Sequence, residues 1–100
     1  MTRVLPQQTI EAPQPELLDR QGEDFQEWIV VVYDNDTNTY DQVIGILMEA
    51  TGCPLEEAQL ETWEIDHLGR SVVHHGDQQE CERAAAVIRR IGIEVAVKEL

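Results

Sequence analysis

Basic side chains are scarce in this chain. Seven Lys and Arg stand against twenty Asp and Glu, Lys98 is the only lysine, and the formal charge is −13. A field of that sign repels nucleic-acid phosphates and anionic membrane surfaces, so neither is expected as a partner. It attracts amines, basic peptides and cationic patches, although acidity also serves solubility alone. Cysteine is nearly absent: Cys53 and Cys81 form no CxxC pair and fall in segments that read as helical, which argues against a disulfide framework and for reduced thiols in the cytoplasm. Ser71 is the only serine and lies in a predicted strand with no base partner nearby in sequence. With no GxSxG, no glycine-rich phosphate loop and no HExxH, the sequence carries no enzyme signature. The N-terminus lacks the apolar core of a signal peptide, and no apolar run approaches membrane-spanning length, so a soluble cytoplasmic chain is expected.

Three of the four prolines, Pro6, Pro13 and Pro15, fall within residues 1–27 among Gln and acidic residues, with no lasting helical or strand period. This stretch reads as a flexible acidic tail, and residues 28–100 as one small domain. The β-branched run Trp28-Ile29-Val30-Val31-Val32-Tyr33 predicts a central strand, stopped by Asp34-Asn35-Asp36. Thr39 and Gln42 have capping-box spacing, and a helix follows with Tyr40, Val43, Ile44, Leu47 and Thr51 on one face, ended by Gly52.

Pro54 starts a second helix, with Leu55, Ala58, Thr62 and Ile65 in one stripe, Leu60 and Trp63 beside it, and Gly69 as its stop. Ser71–His75 reads as a strand. Asp77 and Glu80 open a third helix with Cys81, Ala84, Ala85 and Ile88 facing inward, closed by Gly92. Ile93, Val95 and Val97 then alternate with Glu94, Ala96 and Lys98 in a last strand. The expected class is α+β, in the order β-α-α-β-α-β: a three-stranded antiparallel sheet with three helices packed on one face.

His67, His74 and His75 suggest a metal check. Adjacent strand residues point to opposite faces, and no recognised zinc spacing joins these histidines to the cysteines, so no metal and no cofactor is expected. The segment from Asp34 to Thr39 is more informative. Asp, Asn and Thr are ordinary turn and cap residues, but their oxygens, concentrated between a strand and a helix, also suit an ammonium group. Calcium would need a longer loop with a terminal bidentate Glu.

The run Val31-Val32-Tyr33-Asp34-Asn35-Asp36-Thr37-Asn38-Thr39-Tyr40-Asp41-Gln42-Val43 resembles the ClpS adaptor family, and Asn38-Thr39-Tyr40 is similar to its divergent second type. Ile65-Asp66-His67-Leu68-Gly69 and Gly76-Asp77-Gln78-Gln79-Glu80-Cys81-Glu82 resemble two further landmarks of that family. The resemblance covers residues 28–99. It implies a non-catalytic, monomeric adaptor that grips N-degron peptides by the free α-amine and docks on the N-terminal domain of a Clp unfoldase of the ClpA or ClpC type. Carried over by position, Asp34, Asn35, Asp36, Asn38 and Asp66 would bind the amine. Tyr40, Val43, Thr62, Ile65 and Ile93 would form the side-chain pocket, and Glu80, Glu82 and Arg83 the docking surface. Two departures stand out: the usual Asn-Asp pair is Asp34-Asn35, and the usual His is Asp66. Both keep acceptors, but the two carboxylates would repel until an amine binds. Thr62 replaces what is usually a larger apolar residue. The alternatives are an unfoldase-docking regulator without N-degron binding, and a protein-interaction domain like that of the ribosomal stalk, for which one lysine is few.

Overall fold

The computed structural model describes residues 26–100. The expected tail therefore lies outside the described residues except for Gln26 and Glu27, and Glu27 is tied to the domain. Its carbonyl accepts the Leu100 N–H at 2.8 Å, and its carboxylate meets His75 Nδ1 at 2.9 Å.

The strands are β1 (Trp28–Tyr33), β2 (Arg70–Gly76) and β3 (Val95–Glu99), and the helices α1 (Tyr40–Thr51), α2 (Leu55–Leu68) and α3 (Gln78–Ile88). Arg89–Ile91 adds a short 3-10 turn after α3. The order is β-α-α-β-α-β, and β1 lies between β2 and β3, antiparallel to both. Alternation along β1 turns Val30 and Val32 toward the helices, where Leu47, Ala58, Ile65, Cys81, Ala85, Ile88 and Val95 close over them. Burying a Leu47 or Ile88 side chain this fully contributes about 1.5–3 kcal/mol each. Ile29, Val31 and Val72 line a separate groove of about 480 Å³, bordered by Leu68 and Lys98.

The local signals explain the boundaries. Thr39 and Gln42 close a complete capping box. Asp77 accepts from the Glu80 N–H, but the Glu80 carboxylate does not complete a box; it turns to His74 Nε2 at 2.8 Å. Gly76 leaves room for this, since a Cβ there would lie 2.8 Å from Glu80 Oε1. Gly69 ends α2 at φ 90°, a left-handed conformation that a side chain disfavours.

Two expectations need correction, on α2 and at Ile93, and β2 adds a bulge. Leu55, Leu60 and Trp63 are exposed on α2, and Glu61 is buried in their stead. The helix is held by the narrow stripe Ala58-Thr62-Ile65, with Glu61 one step round from it, and Trp63 stacks outside on His67 at 4.3 Å. In β2 the register slips between Val30 and Val31: Val30 faces His74 and Val31 faces Val72, so Val73 is the extra residue. Ile93 is buried but precedes β3.

Candidate functional site

The turn from β1 into α1, the last turns of α2 and the approach to β3 meet at one small cavity of about 50 Å³. Asp34, Asn35, Asn38 and Thr39 come from the turn, Tyr40 and Val43 from the start of α1, Thr62, Ile65 and Asp66 from α2, and Ile93 from the chain before β3. Nine of the ten residues expected in the amine and side-chain sites are therefore brought together, and Thr39 joins them. Asp36 does not line the cavity and is exposed.

The turn is held rigidly. Asp34 donates its N–H to the Gly69 carbonyl at 3.0 Å, tying the end of β1 to the end of α2. Asn35 Oδ1 accepts from the Asn38 N–H at 3.2 Å and, more weakly, from the Thr37 N–H at 3.4 Å. Asn35 Nδ2 donates to Asn38 Oδ1 at 2.8 Å. Asn38 Nδ2 donates in turn to the Ile91 carbonyl at 2.9 Å and to Gln42 Oε1 at 3.3 Å, which fixes the amide orientation. Asn35 has thus spent both acceptor positions on the loop itself, whereas Asn38 Oδ1 keeps one.

Across the cavity, Tyr40 donates its hydroxyl to Asp66 Oδ2 at 3.2 Å. Desolvation against the cavity raises the Tyr40 pKa, reinforced by the Asp66 charge and hydrogen bond and then by the Asp34 charge. Asp34 and Asp66 therefore act on the same group from two elements. Thr62 is buried, and its hydroxyl donates to the Ala58 carbonyl at 2.7 Å. Val43, Ile65 and Ile93 supply the apolar floor, each buried. Among the described residues, no Lys, Arg or His lines the cavity. Its chemistry is that of an acceptor-rich rim over an apolar floor, suited to an ammonium group carrying an apolar substituent.

Glu80, Glu82 and Arg83, expected at a docking surface, are exposed on the first turns of α3 and do not line this cavity. No helix among the described residues is long and apolar enough to cross a membrane. Sequence reasoning did not single out Thr39 for the cavity, because its capping role accounted for it.

The family model described as ATP-dependent Clp protease adaptor protein ClpS matches residues 23–95. Human E3 ubiquitin-protein ligase UBR2 is 38% identical over 60 residues, which is 60% of this chain and 3% of the ligase. Human UBR1, another E3 ubiquitin-protein ligase, is 37% identical over 75 residues, 75% of this chain and 4% of that one. The chain thus spans only a small fraction of these relatives' length. The structure of Agrobacterium tumefaciens ClpS2 bound to L-phenylalaninamide superposes with a TM-score of 0.70 at 12% identity, over 75% of this chain and 98% of that one. The fold is shared.

Proposed function

The chain belongs to the ClpS adaptor family, matched over residues 23–95, and from that premise we propose that it binds N-degron substrates by their free N-terminal amine and delivers them to a Clp unfoldase. The observation that carries this reading is the convergence of Asp34, Asn38 and Asp66 acceptors on one cavity floored by Val43, Ile65 and Ile93, with no basic side chain among them. An ammonium group has three donors. Asp34, Asp66 and the free position on Asn38 Oδ1 offer three acceptors, with Asn35 positioning Asn38. The apolar floor receives the first side chain. The Agrobacterium relative's ligand, L-phenylalaninamide, has this same pairing of an amine with an apolar group.

The reading assigns no catalytic step. Delivery would use the exposed start of α3, with Glu80, Glu82 and Arg83 presented to the N-terminal domain of a ClpA- or ClpC-type unfoldase. The curated relatives support a module of this size, because the shared stretch is only 3–4% of each ligase.

Calorimetric titration with a Phe-first peptide, free or N-acetylated, tests the amine reading. A charge-assisted hydrogen bond contributes about 1.5–3 kcal/mol, so acetylation should weaken binding about tenfold or more. Equal affinities would refute amine recognition and leave an adaptor that docks without reading N-termini.

A further inference from the structure

Cys53, in the connection before α2, and Glu57 and Glu61 on that helix recur at every fourth position, so they rise along one side. One ligand atom from each lies within 4.8 Å of the other two. They line a cavity of about 400 Å³ that shares no residue with the amine cavity. We propose that these three side chains form a binding site for a zinc-type divalent cation.

The independent observation is Glu61. Its residue is 7% exposed, and its Oε1 is buried with no hydrogen-bond partner among the described residues. Left ionised, a buried carboxylate oxygen without a donor carries its desolvation penalty and repels the carboxylate beside it, costs that a bound proton relieves in metal-free protein and a cation would relieve in its place. Among the described residues, no Lys or Arg lines this cavity to offset either cost. The two histidines that do line it are engaged elsewhere, His74 Nε2 with Glu80 at 2.8 Å and His75 Nδ1 with Glu27 at 2.9 Å. A cation at the meeting point of the three side chains would compensate the buried Glu61 carboxylate and remove the repulsion together.

The donor set selects the cation. Calcium and magnesium take all-oxygen shells, whereas one thiolate with two carboxylates suits a borderline-soft ion such as zinc. Tetrahedral zinc ligands at about 2.0–2.3 Å from the metal lie roughly 3.3–3.8 Å apart. The three ligand atoms, within 4.8 Å of one another, therefore need at most about 1–1.5 Å of closure, shared between the exposed Glu57 and the half-buried Cys53 side chains. The Cys53 thiol is only loosely held, its best acceptor being the Leu47 carbonyl at 4.0 Å. Three protein ligands leave one tetrahedral position open to the cavity.

The test uses the full chain, stripped with a chelator and titrated with Co²⁺. A thiolate-to-cobalt charge-transfer band in the near ultraviolet, with the intense visible bands of tetrahedral cobalt, should appear and be abolished by stoichiometric Zn²⁺. Cys53→Ser and Glu61→Gln should each weaken metal binding at least about a hundredfold, more than losing an outer-shell partner costs. Glu56→Gln, exposed on the first turn of the same helix, should leave it unchanged. Zinc should raise the thermal midpoint of the native chain and not of the two ligand variants. Absence of the thiolate band would overturn the proposal. So would an affinity insensitive to both ligand variants, since the ion would then be held by surface acids.

Discussion

Asp66→Asn removes one negative charge from the amine cavity yet keeps an acceptor oxygen for the Tyr40 hydroxyl, which now donates to Asp66 Oδ2 at 3.2 Å. A hydrogen bond to a charged group contributes about 1.5–3 kcal/mol and a neutral one about 0.5–1.5 kcal/mol, so the exchange should cost an ammonium ligand roughly 1 kcal/mol or somewhat more. The Asp66 side chain is 51% exposed, and solvent screening holds the effect to the lower end, about a fivefold loss of affinity. Stability of the free protein should move by no more than about 0.5 kcal/mol, because no buried partner is orphaned. Tyr40 provides a readout that needs no ligand. Two of the causes that raise its pKa belong to Asp66, so in the variant it should titrate closer to the ordinary value of 10.0 while staying above it, held by desolvation and the Asp34 charge. A Tyr33→Phe background leaves Tyr40 as the only tyrosine, so phenolate absorbance reports on it alone. Unchanged peptide affinity alongside a shifted Tyr40 titration would mean that Asp66 sits as described but receives no amine. If neither moved, the geometry itself would be refuted.

Burial, followed by the Glu57 hydrogen bond and charge and the Glu64 charge, lifts the Glu61 pKa from 4.5 to about 8, so the folded state holds a proton that the unfolded state releases. In metal-free buffer its contribution is therefore fully present below about pH 4.5 and lost as pH rises through about 8. Glu61→Gln should gain on the native chain by about 1–2 kcal/mol across that window in denaturant melts, less than direct conversion of the shift because a cavity adjoins the group; a constant difference with pH would refute this. Thr62→Val should be neutral to slightly stabilising, because the Thr62 hydroxyl bonds only its own helix at the Ala58 carbonyl, and peptide affinity should hold or rise in the same calorimetric assay. Gly69→Ala should cost about 1 kcal/mol in thermal or denaturant unfolding: nothing lies within 4 Å of the added Cβ, so only the φ of 90° penalises it.

Much of the architecture was legible because local and tertiary preferences agree. Val30 and Val32 alternate into the core as a strand requires, and Thr39, Gly52, Gly69 and Gly92 act as the caps their chemistry suggests. Hydrophobicity misleads on α2. Leu60 and Trp63 stay outside because the seat against the sheet admits only the slim Ala58, Thr62 and Ile65 side. No local signal marks Glu61 as buried, since its position depends on how α2 lies over β2. The bulge at Val73 is equally silent, because Val72 and Val73 are interchangeable in a run of strand formers. The cavity residues were legible only through the resemblance, since Ile93 and Asp66 stand 27 positions apart and nothing in their spacing says they meet.

The turn between β1 and α1 is pinned at both ends before any ligand arrives, by Asp34 to Gly69 and by Asn38 to Ile91. On the proposed reading, an incoming peptide has no loop to order, and its association should be a single concentration-dependent step without a slow phase. The formal charge of −13 gives that step a long-range pull on a cationic chain end. Added salt should therefore slow arrival far more than it speeds departure. Fast capture with a short residence time is the kinetic profile that the proposed delivery role would require.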